Sequence, residues 1–320
     1  MPHLPPVKEY VSRGGLRIYR IPCRVFDDLT ARVYLVLGAG VPTLVDAGSG
    51  RGGCTNEILS GIETVRTEFG QPIAAADVRR LIITHAHLDH FGGVAELLRA
   101  MPAEVAVHPL DGGPLANWEE HSVLGRQRLA RLLAEAGVPP PLDAELLAAA
   151  RYERLRLAPT PVGRWLADGD DLDGLRVIHA PGHSPGLVCL AADDLLLSAD
   201  HILARTVPQQ WPEQMAPYLG LAHYLGALDR IAHMPGFTMA LAAHEPAIPD
   251  VYRRIEVIRG SQQRRLDRVL ELQRLAARPL TVYELARKMY GELSGFRGVL
   301  ALTDVAARVE YLHQKLGVRS

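Results

Sequence analysis

The hydrophobic pattern of this chain changes period several times, and each change marks an element. Short apolar blocks at Arg17 to Ile21, Ala31 to Leu37 and Thr43 to Val45 predict strands, broken by Gly38-Ala39-Gly40. The polar turn Asp46-Ala47-Gly48-Ser49-Gly50 closes the third. From about Asn56 to Phe69 the period lengthens and Ile58, Leu59, Ile62 and Val65 share one face, which predicts a helix. Leu81 to Thr84 predicts a buried strand. Gly92-Gly93 opens a helix through Leu97 and Leu98, and Glu104 to Val107 returns to strand.

Between Pro109 and about Pro161 the pattern turns helical, at Asn117 to Ala136 and Asp143 to Arg151, joined by Gly137-Val138-Pro139-Pro140-Pro141. This stretch, about 109–161, reads as a helical insertion. It serves either as packing over an edge or as a lid carrying Trp118 and His121. Strands resume at Leu175 to His179, Leu187 to Leu190 and Leu195 to Leu197. A helix from Tyr218 to His233 and a strand at Met239 to Ala243 follow. Strands alternating with helices predict an α/β fold. Beyond it, Val251 to Ala277 predicts a long helix with a basic face. Thr281 caps a second helix, with Glu284 at capping-box spacing. A third runs from about Asp304 to Leu316 and stops at Gly317. Three helices in this stretch predict a small helical or winged-helix-like unit, with Gly291 to Leu302 as the place for a wing. The chain therefore divides into residues 1–250 and 251–320.

The chemistry concentrates at Thr84-His85-Ala86-His87-Leu88-Asp89-His90, at the end of a predicted buried strand. Imidazole nitrogen and carboxylate oxygen are the donors that bind zinc and similar divalent ions. Three further donors follow predicted strands. His183 sits in the turn Ala180-Pro181-Gly182-His183-Ser184-Pro185-Gly186. Asp200 follows Leu195-Leu196-Leu197-Ser198-Ala199, and His244 follows Met239 to Ala243. A carboxylate after an apolar strand is costly to bury unless a cation or donor meets it. His108, His179 and His201 read as packing or supporting residues rather than donors to a metal.

Composition narrows the function classes. A hydrophobic fraction of 48% and a charged fraction of 22% in 320 residues describe a globular protein. The formal net charge of -1 gives no global pull toward nucleic acid or anionic membrane. From Val251 onward, however, 14 Lys+Arg face 7 Asp+Glu, which sets that segment apart. Cys23, Cys54 and Cys189 form neither a disulfide framework nor a Cys-x-x-Cys metal knuckle. Met1-Pro2-His3-Leu4-Pro5-Pro6 shows no secretory pattern, and no apolar run is long enough to span a bilayer. A cytoplasmic setting without a membrane partner is the expectation.

The cluster at 84–90, followed by His183, Asp200 and His244, resembles the metallo-β-lactamase superfamily over about residues 15 to 250. Asp46 in Val45-Asp46-Ala47-Gly48 is similar to that superfamily's Asp-Thr-Gly turn, with alanine in place of threonine. The C-terminal segment resembles the winged-helix-like tail of the LACTB2-like subgroup. The resemblance implies an αβ/βα sandwich with two divalent metal ions at one edge. His85, His87 and His183 would hold the first ion. Asp89, His90 and His244 would hold the second, and Asp200 would bridge them. Asp46 would orient a ligand. Donors without thiolate suit zinc and also admit manganese or iron. His244 departs in being followed by Glu245-Pro246, where the superfamily often has glycine.

The resemblance implies a metal-dependent hydrolase that attacks with a metal-bridged hydroxide, with Asp89 as the catalytic carboxylate. The expected substrate is a small acyl thioester or related ester. Trp118, Trp165, Trp211 and Tyr218 are available either as pocket wall or as core. An endoribonuclease of the LACTB2-like type is the alternative, using the basic C-terminal segment on phosphates. Lactone or β-lactam hydrolysis and a non-catalytic metal-binding protein stand further off, as does a regulatory tail that binds DNA. The tail could also mediate a homodimer.

Overall fold

Strands buried on both faces read as continuous apolar runs rather than alternating ones. That is the local character of this chain's inner strands. Arg80–Ile83 and Leu195–Ala199 are buried at every position. The computed structural model describes residues 4–38, 40–150 and 157–317. Its first sheet has seven strands in chain order: β1 (Lys8–Val11), β2 (Arg17–Phe26), β3 (Leu29–Leu37), β4 (Thr43–Val45), β5 (Arg80–Ile83), β6 (Glu104–Val107) and β7 (Arg164–Trp165). The pairs from β1 to β4 are antiparallel and those from β4 to β7 parallel. The second sheet has five strands: β8 (Asp171–Leu172), β9 (Leu175–His179), β10 (Val188–Ala192), β11 (Leu195–Ala199) and β12 (Met239–Ala242). Only β11 and β12 pair in parallel there.

The alternation of side chains along each strand builds the layers. Ile18, Tyr34, Val36, Val45 and Ile82 of the first sheet meet Val177, Val188, Leu190, Leu197 and Leu241 of the second between the sheets. The opposite face of the first sheet, with Tyr19, Ile21, Leu35, Leu81 and Ile83, packs on α1 (Cys54–Glu68) and on the short helices α2 (Leu88–Phe91) and α3 (Val94–Leu97). Ile178, Cys189, Leu196 and Ala240 of the second sheet pack on α7 (Leu221–Ala232) and α8 (Val251–Leu275). Helix, sheet, sheet, helix is the resulting order, the αβ/βα sandwich.

The insertion contributes α4 (Gly112–Ala116), α5 (Trp118–Glu135) and α6 (Leu142–Ala149). Asn117, where the sequence places the helix start, is its N-cap and accepts from the Glu120 amide. The predicted end of the second insertion helix at Arg151 lies outside the described residues, as does Ala39. Leu129, Leu132 and Leu133 of α5 pack with α8, α9 (Val282–Tyr290) and α10 (Gly295–Leu316) in one apolar cluster. Most of the insertion is therefore packed against the C-terminal helices. Its first turn differs: Trp118 packs on Phe91, with ring centroids 5.8 Å apart.

The C-terminal segment departs from expectation in one place. Thr281 and Glu284 form the capping box as predicted. The last helix starts at Gly295 rather than Asp304, and so takes up most of Gly291 to Leu302. Among the described residues this segment is wholly helical, with no hairpin to make a wing. The reason is packing: Val299, Leu302, Val305 and Ala306 recur at helical spacing and are buried against α5, α6 and α9. Strands β1, β7 and β8 also escaped the sequence reading, since none has an apolar block of its own. The helix expected from Tyr218 begins at Leu221, because Tyr218 and Gly220 take φ values of 68° and 106°. Among the described residues no helix is long and apolar enough to cross a membrane.

Candidate metal centre

Seven residues predicted from sequence as donors converge at one edge of the sandwich, each carried just beyond the C-terminal end of a strand. His85, His87, Asp89 and His90 follow β5; His183 lies between β9 and β10; Asp200 follows β11; His244 follows β12. Loops held by rigid sheets are where side chains can be fixed without repacking a core. The donor atoms of His85, His87 and His183 all lie within 4.8 Å of one another. So do those of Asp89, His90 and His244, and those of His85, His90 and Asp200. Asp200 reaches both sides: Oδ2 is 3.6 Å from His183 Nε2 and 3.7 Å from His90 Nε2, and Oδ1 is 3.3 Å from His244 Nε2. His85, His90, His183 and Asp200 are buried, while His87, Asp89 and His244 are partly open, so the cluster faces solvent on one side.

The outer nitrogens of four of the rings are engaged. His90 Nδ1 is 2.8 Å from Asp46 Oδ2, His183 Nδ1 is 2.9 Å from the Gln209 carbonyl, and His244 Nδ1 is 3.0 Å from the Thr30 carbonyl. Each of these partners accepts, so each Nδ1 carries a proton and each Nε2 faces inward, able to coordinate once it holds none. Thr84 Oγ1 donates to Asp46 Oδ2 at 3.0 Å and accepts from His85 Nδ1 at 3.1 Å, which orients His85 likewise. Asp46 thus governs one imidazole directly and another through Thr84. It also accepts from the Thr84 amide at 2.8 Å. Its own backbone is held at φ 67°, and Ala199, just before Asp200, at φ 47°. Non-glycine residues pay for such angles in strain, and they cluster at functional sites.

These inward nitrogens crowd one another. His85 Nε2 lies 3.1 Å from His87 Nδ1, and His90 Nε2 lies 3.3 Å from His244 Nε2. His183 Nε2 and Asp200 Oδ1 are buried without a hydrogen-bond partner. Unpartnered buried polar atoms cost about 1–3 kcal/mol each. A divalent cation among them removes the repulsion and satisfies the orphans together, so the residues fit two such ions.

Protonation divides the donors. Burial, reinforced by the neighbouring imidazoles, pushes His85 well down and His87 down to about 3, so both stay neutral and ready to coordinate. Burial also opposes charge on His90 and His244, but carboxylates outweigh it: Asp46, Asp200 and Asp89 raise His90, and Asp200 and Asp89 bring His244 up to about 10. Asp89 goes down to about 2, since His90 and His244 together outweigh its burial. Without metal, then, the His90 and His244 side holds protons at neutral pH and the His85 and His87 side does not. Binding at Asp89, His90 and His244 must expel protons, so affinity there rises with pH, whereas binding at His85 and His87 releases none from those rings. Calorimetric titration in buffers of different ionisation enthalpy is expected to show proton release on binding at the His90 and His244 side, and affinity there is expected to fall on acidification.

Three supporting residues went unrecognised in the sequence. The buried Asp111 carboxylate accepts from the Ala86 amide at 2.8 Å, the Ser184 hydroxyl at 2.6 Å and the Gly186 amide at 2.6 Å. It ties the loop of His85 and His87 to the turn of His183, across the two sheets. The signal that found Asp200, an acid shortly after an apolar strand, was present here as well. Glu245 accepts from the Arg205 amide and from the Thr206 amide and hydroxyl. That explains why a residue other than glycine follows His244: its carboxylate holds the loop leaving Asp200. Gln209 is the third, through the carbonyl that meets His183. The His183 turn itself needs Gly182, at φ 126°, where a Cβ would fall 2.5 Å from the Tyr224 backbone.

Of the remaining residues, His201 is buried beside Tyr224, and burial takes it down to about 3. His179 bonds the Pro185 carbonyl and stacks on His108 at 4.0 Å. None of the three belongs to a donor set. Trp211 is partly buried among the C-terminal helices, while Trp165 and Tyr218 are exposed.

The same architecture recurs in known proteins. The chain is 28% identical over 213 residues to the acyl-coenzyme A thioesterase MBLAC2 of Bos taurus, covering 64% of this chain and 68% of that one. It is 26% identical over 182 residues to a hydroxyacylglutathione hydrolase of Aeromonas hydrophila, covering 54% of this chain and 51% of the other. A metallo-beta-lactamase family protein of Thermus thermophilus superposes with a TM-score of 0.72 at 25% identity, covering 93% of both chains. A beta-lactamase domain protein of Burkholderia ambifaria shares the fold with a TM-score of 0.70 at 23% identity, covering 96% and 89%. The model of the metallo-beta-lactamase superfamily matches residues 27–272, a span that holds every strand from β3 onward and every candidate donor described above, and the chain belongs to that superfamily.

Proposed function

We propose that this metal-dependent hydrolase cleaves small acyl thioesters, with residues 1–250 as the catalytic part and residues 251–320 as a helical support. The observation that carries the reading is the convergence of two donor sets at one partly open edge, in a chain similar to a thioesterase and to a hydrolase of an acylated thiol. His85, His87 and His183 would hold one ion, Asp89, His90 and His244 the other, and Asp200 would serve both. Donors of nitrogen and oxygen without sulfur suit zinc, and admit manganese or iron. Bound divalent ions supply water activated at neutral pH and a Lewis acid for the acyl oxygen.

The chain's own groups do the rest. Asp89, ionised at neutral pH and on the open side, orients the attacking water by accepting its hydrogen bond. The buried side of the cluster excludes bulk water from the donors. A thiolate leaves without prior protonation, because a thiol's pKa is about 8.5. This chemistry therefore needs no separate acid beside the scissile bond.

The LACTB2-like ribonuclease alternative would use the basic C-terminal segment, in which four arginines are already paired. Arg259, Arg268, Arg278 and Arg287 lie against Asp229 and Glu256, Glu271, Glu284, and Glu292 respectively. A hydrolysis panel of acyl-coenzyme A, acylglutathione, lactone, β-lactam and single-stranded RNA tests the proposal. Thiol release from one of the two thioesters is the expected result. Activity on RNA alone, with a metal-loaded protein, overturns it.

A further inference from the structure

We propose that the C-terminal helix α10 sets the affinity of the metal ion held by His183, acting through Gln209. This rests on His183 being a metal ligand, as proposed above. The His183 turn does not stand alone. Its Nδ1 is fixed by the Gln209 carbonyl at 2.9 Å, and the Gly182 carbonyl accepts from the Gly220 amide at 3.1 Å. Both partners belong to one segment, residues 205–220, which has little regular structure of its own.

That segment takes its position from α10. Gln209 Nε2 donates to the Leu300 carbonyl at 2.8 Å and to Thr303 Oγ1 at 3.1 Å. Farther along, Glu310 accepts from the Glu213 amide at 2.6 Å and the Gln214 amide at 3.1 Å. Thr303 is fully buried. The side chain of Gln209 therefore anchors to the helix, and its own carbonyl orients the imidazole. Without the anchor that carbonyl can swing, and the Nδ1 proton loses its fixed acceptor. The lone pair on Nε2 then loses its aim. His85 and His87 take no part in this chain of contacts, and neither do His90 and His244. Gln209 is thus a positioning residue for one ion and not for the other.

This assigns a task to residues 251–320 that ordinary covering of the core does not require. The test is competition of full-length protein with a chromogenic chelator for zinc, alongside the visible spectrum of the cobalt(II) form. His183→Ala identifies which ion His183 holds. Gln209→Met keeps the side chain's bulk and removes its donors. It is expected to weaken that ion by about 10-fold or more and leave the other unchanged. Thr303→Val, which retains shape in the buried site, is expected to produce a smaller loss in the same direction. It carries the test if Gln209→Met fails to fold. Arg297→Ala, on the exposed face of α10, is expected to match the wild type. Equal weakening of both ions, or unchanged binding in Gln209→Met, overturns the proposal. If His183→Ala retains both ions at wild-type affinity, the reading of the metal centre fails first.

Discussion

Asp200→Asn is expected to lose hydrolysis by about 10^3-fold or more, equivalent to about 4 kcal/mol of barrier, while the protein still folds. Asp200 reaches both donor sets, with Oδ2 near His183 and His90 and Oδ1 near His244. Asparagine keeps the size and one carbonyl oxygen but removes the negative charge, and its amide hydrogens point at inward lone pairs. Both ions lose a ligand at once, so turnover and metal content are expected to fall together. Folding survives because the carboxylate bonds to no backbone group among the described residues; the cluster, not the core, depends on it. Steady-state kinetics with metal analysis of the same preparation checks this. A variant with full activity and two bound ions would rule out the shared role.

Asp111→Ala is expected to be the most damaging change among residues that touch no ion. Truncation leaves the Ala86 and Gly186 amides and the Ser184 hydroxyl without their acceptor. At about 1–3 kcal/mol for each unsatisfied buried donor, a loss of several kcal/mol follows, a large share of a domain's usual 5–15 kcal/mol. The damage is also directed. Ala86 lies between His85 and His87, and Ser184 follows His183, so one carboxylate sets the spacing of three imidazoles from opposite sheets. Denaturant unfolding with and without metal checks it. The stability difference from wild type is expected to be larger with metal bound, because the variant also binds metal less tightly. A difference of the same size in both conditions would reduce Asp111 to ordinary core support.

The α/β character of this fold was legible because inner strands and amphipathic helices impose their periods on sequence. Leu195–Ala199 and Cys54–Glu68 are cases where burial on two faces, or on one stripe, dictates residue type. Short edge strands such as Arg164–Trp165 carry no such constraint, because a two-residue strand with one neighbour need not be apolar. The start of α10 at Gly295 was hidden for another reason: glycine argues against helix locally, and the packing of Val299 and Leu302, with the fit of Gly298 beside Leu146 and Leu293, overrides it.

For the proposed site, the sequence by itself named the candidate donors. Coordination demands particular atoms, so His85, His87, Asp89, His90, His183, Asp200 and His244 announce themselves by type and by position after strands. What holds those donors in place was decided by the tertiary structure alone. Asp111, Gln209 and Glu245 act on backbone amides, carbonyls and hydroxyls, which nearly every residue possesses. A partner of that kind leaves no mark on sequence type. The Gln209 side chain reaches α10 some 90 residues away, and Asp111 reaches Gly186 from the other sheet, with |i−j| of 91 and 75. Such contacts exist only once both sheets and the C-terminal helices have packed, since packing alone brings those groups within hydrogen-bond distance.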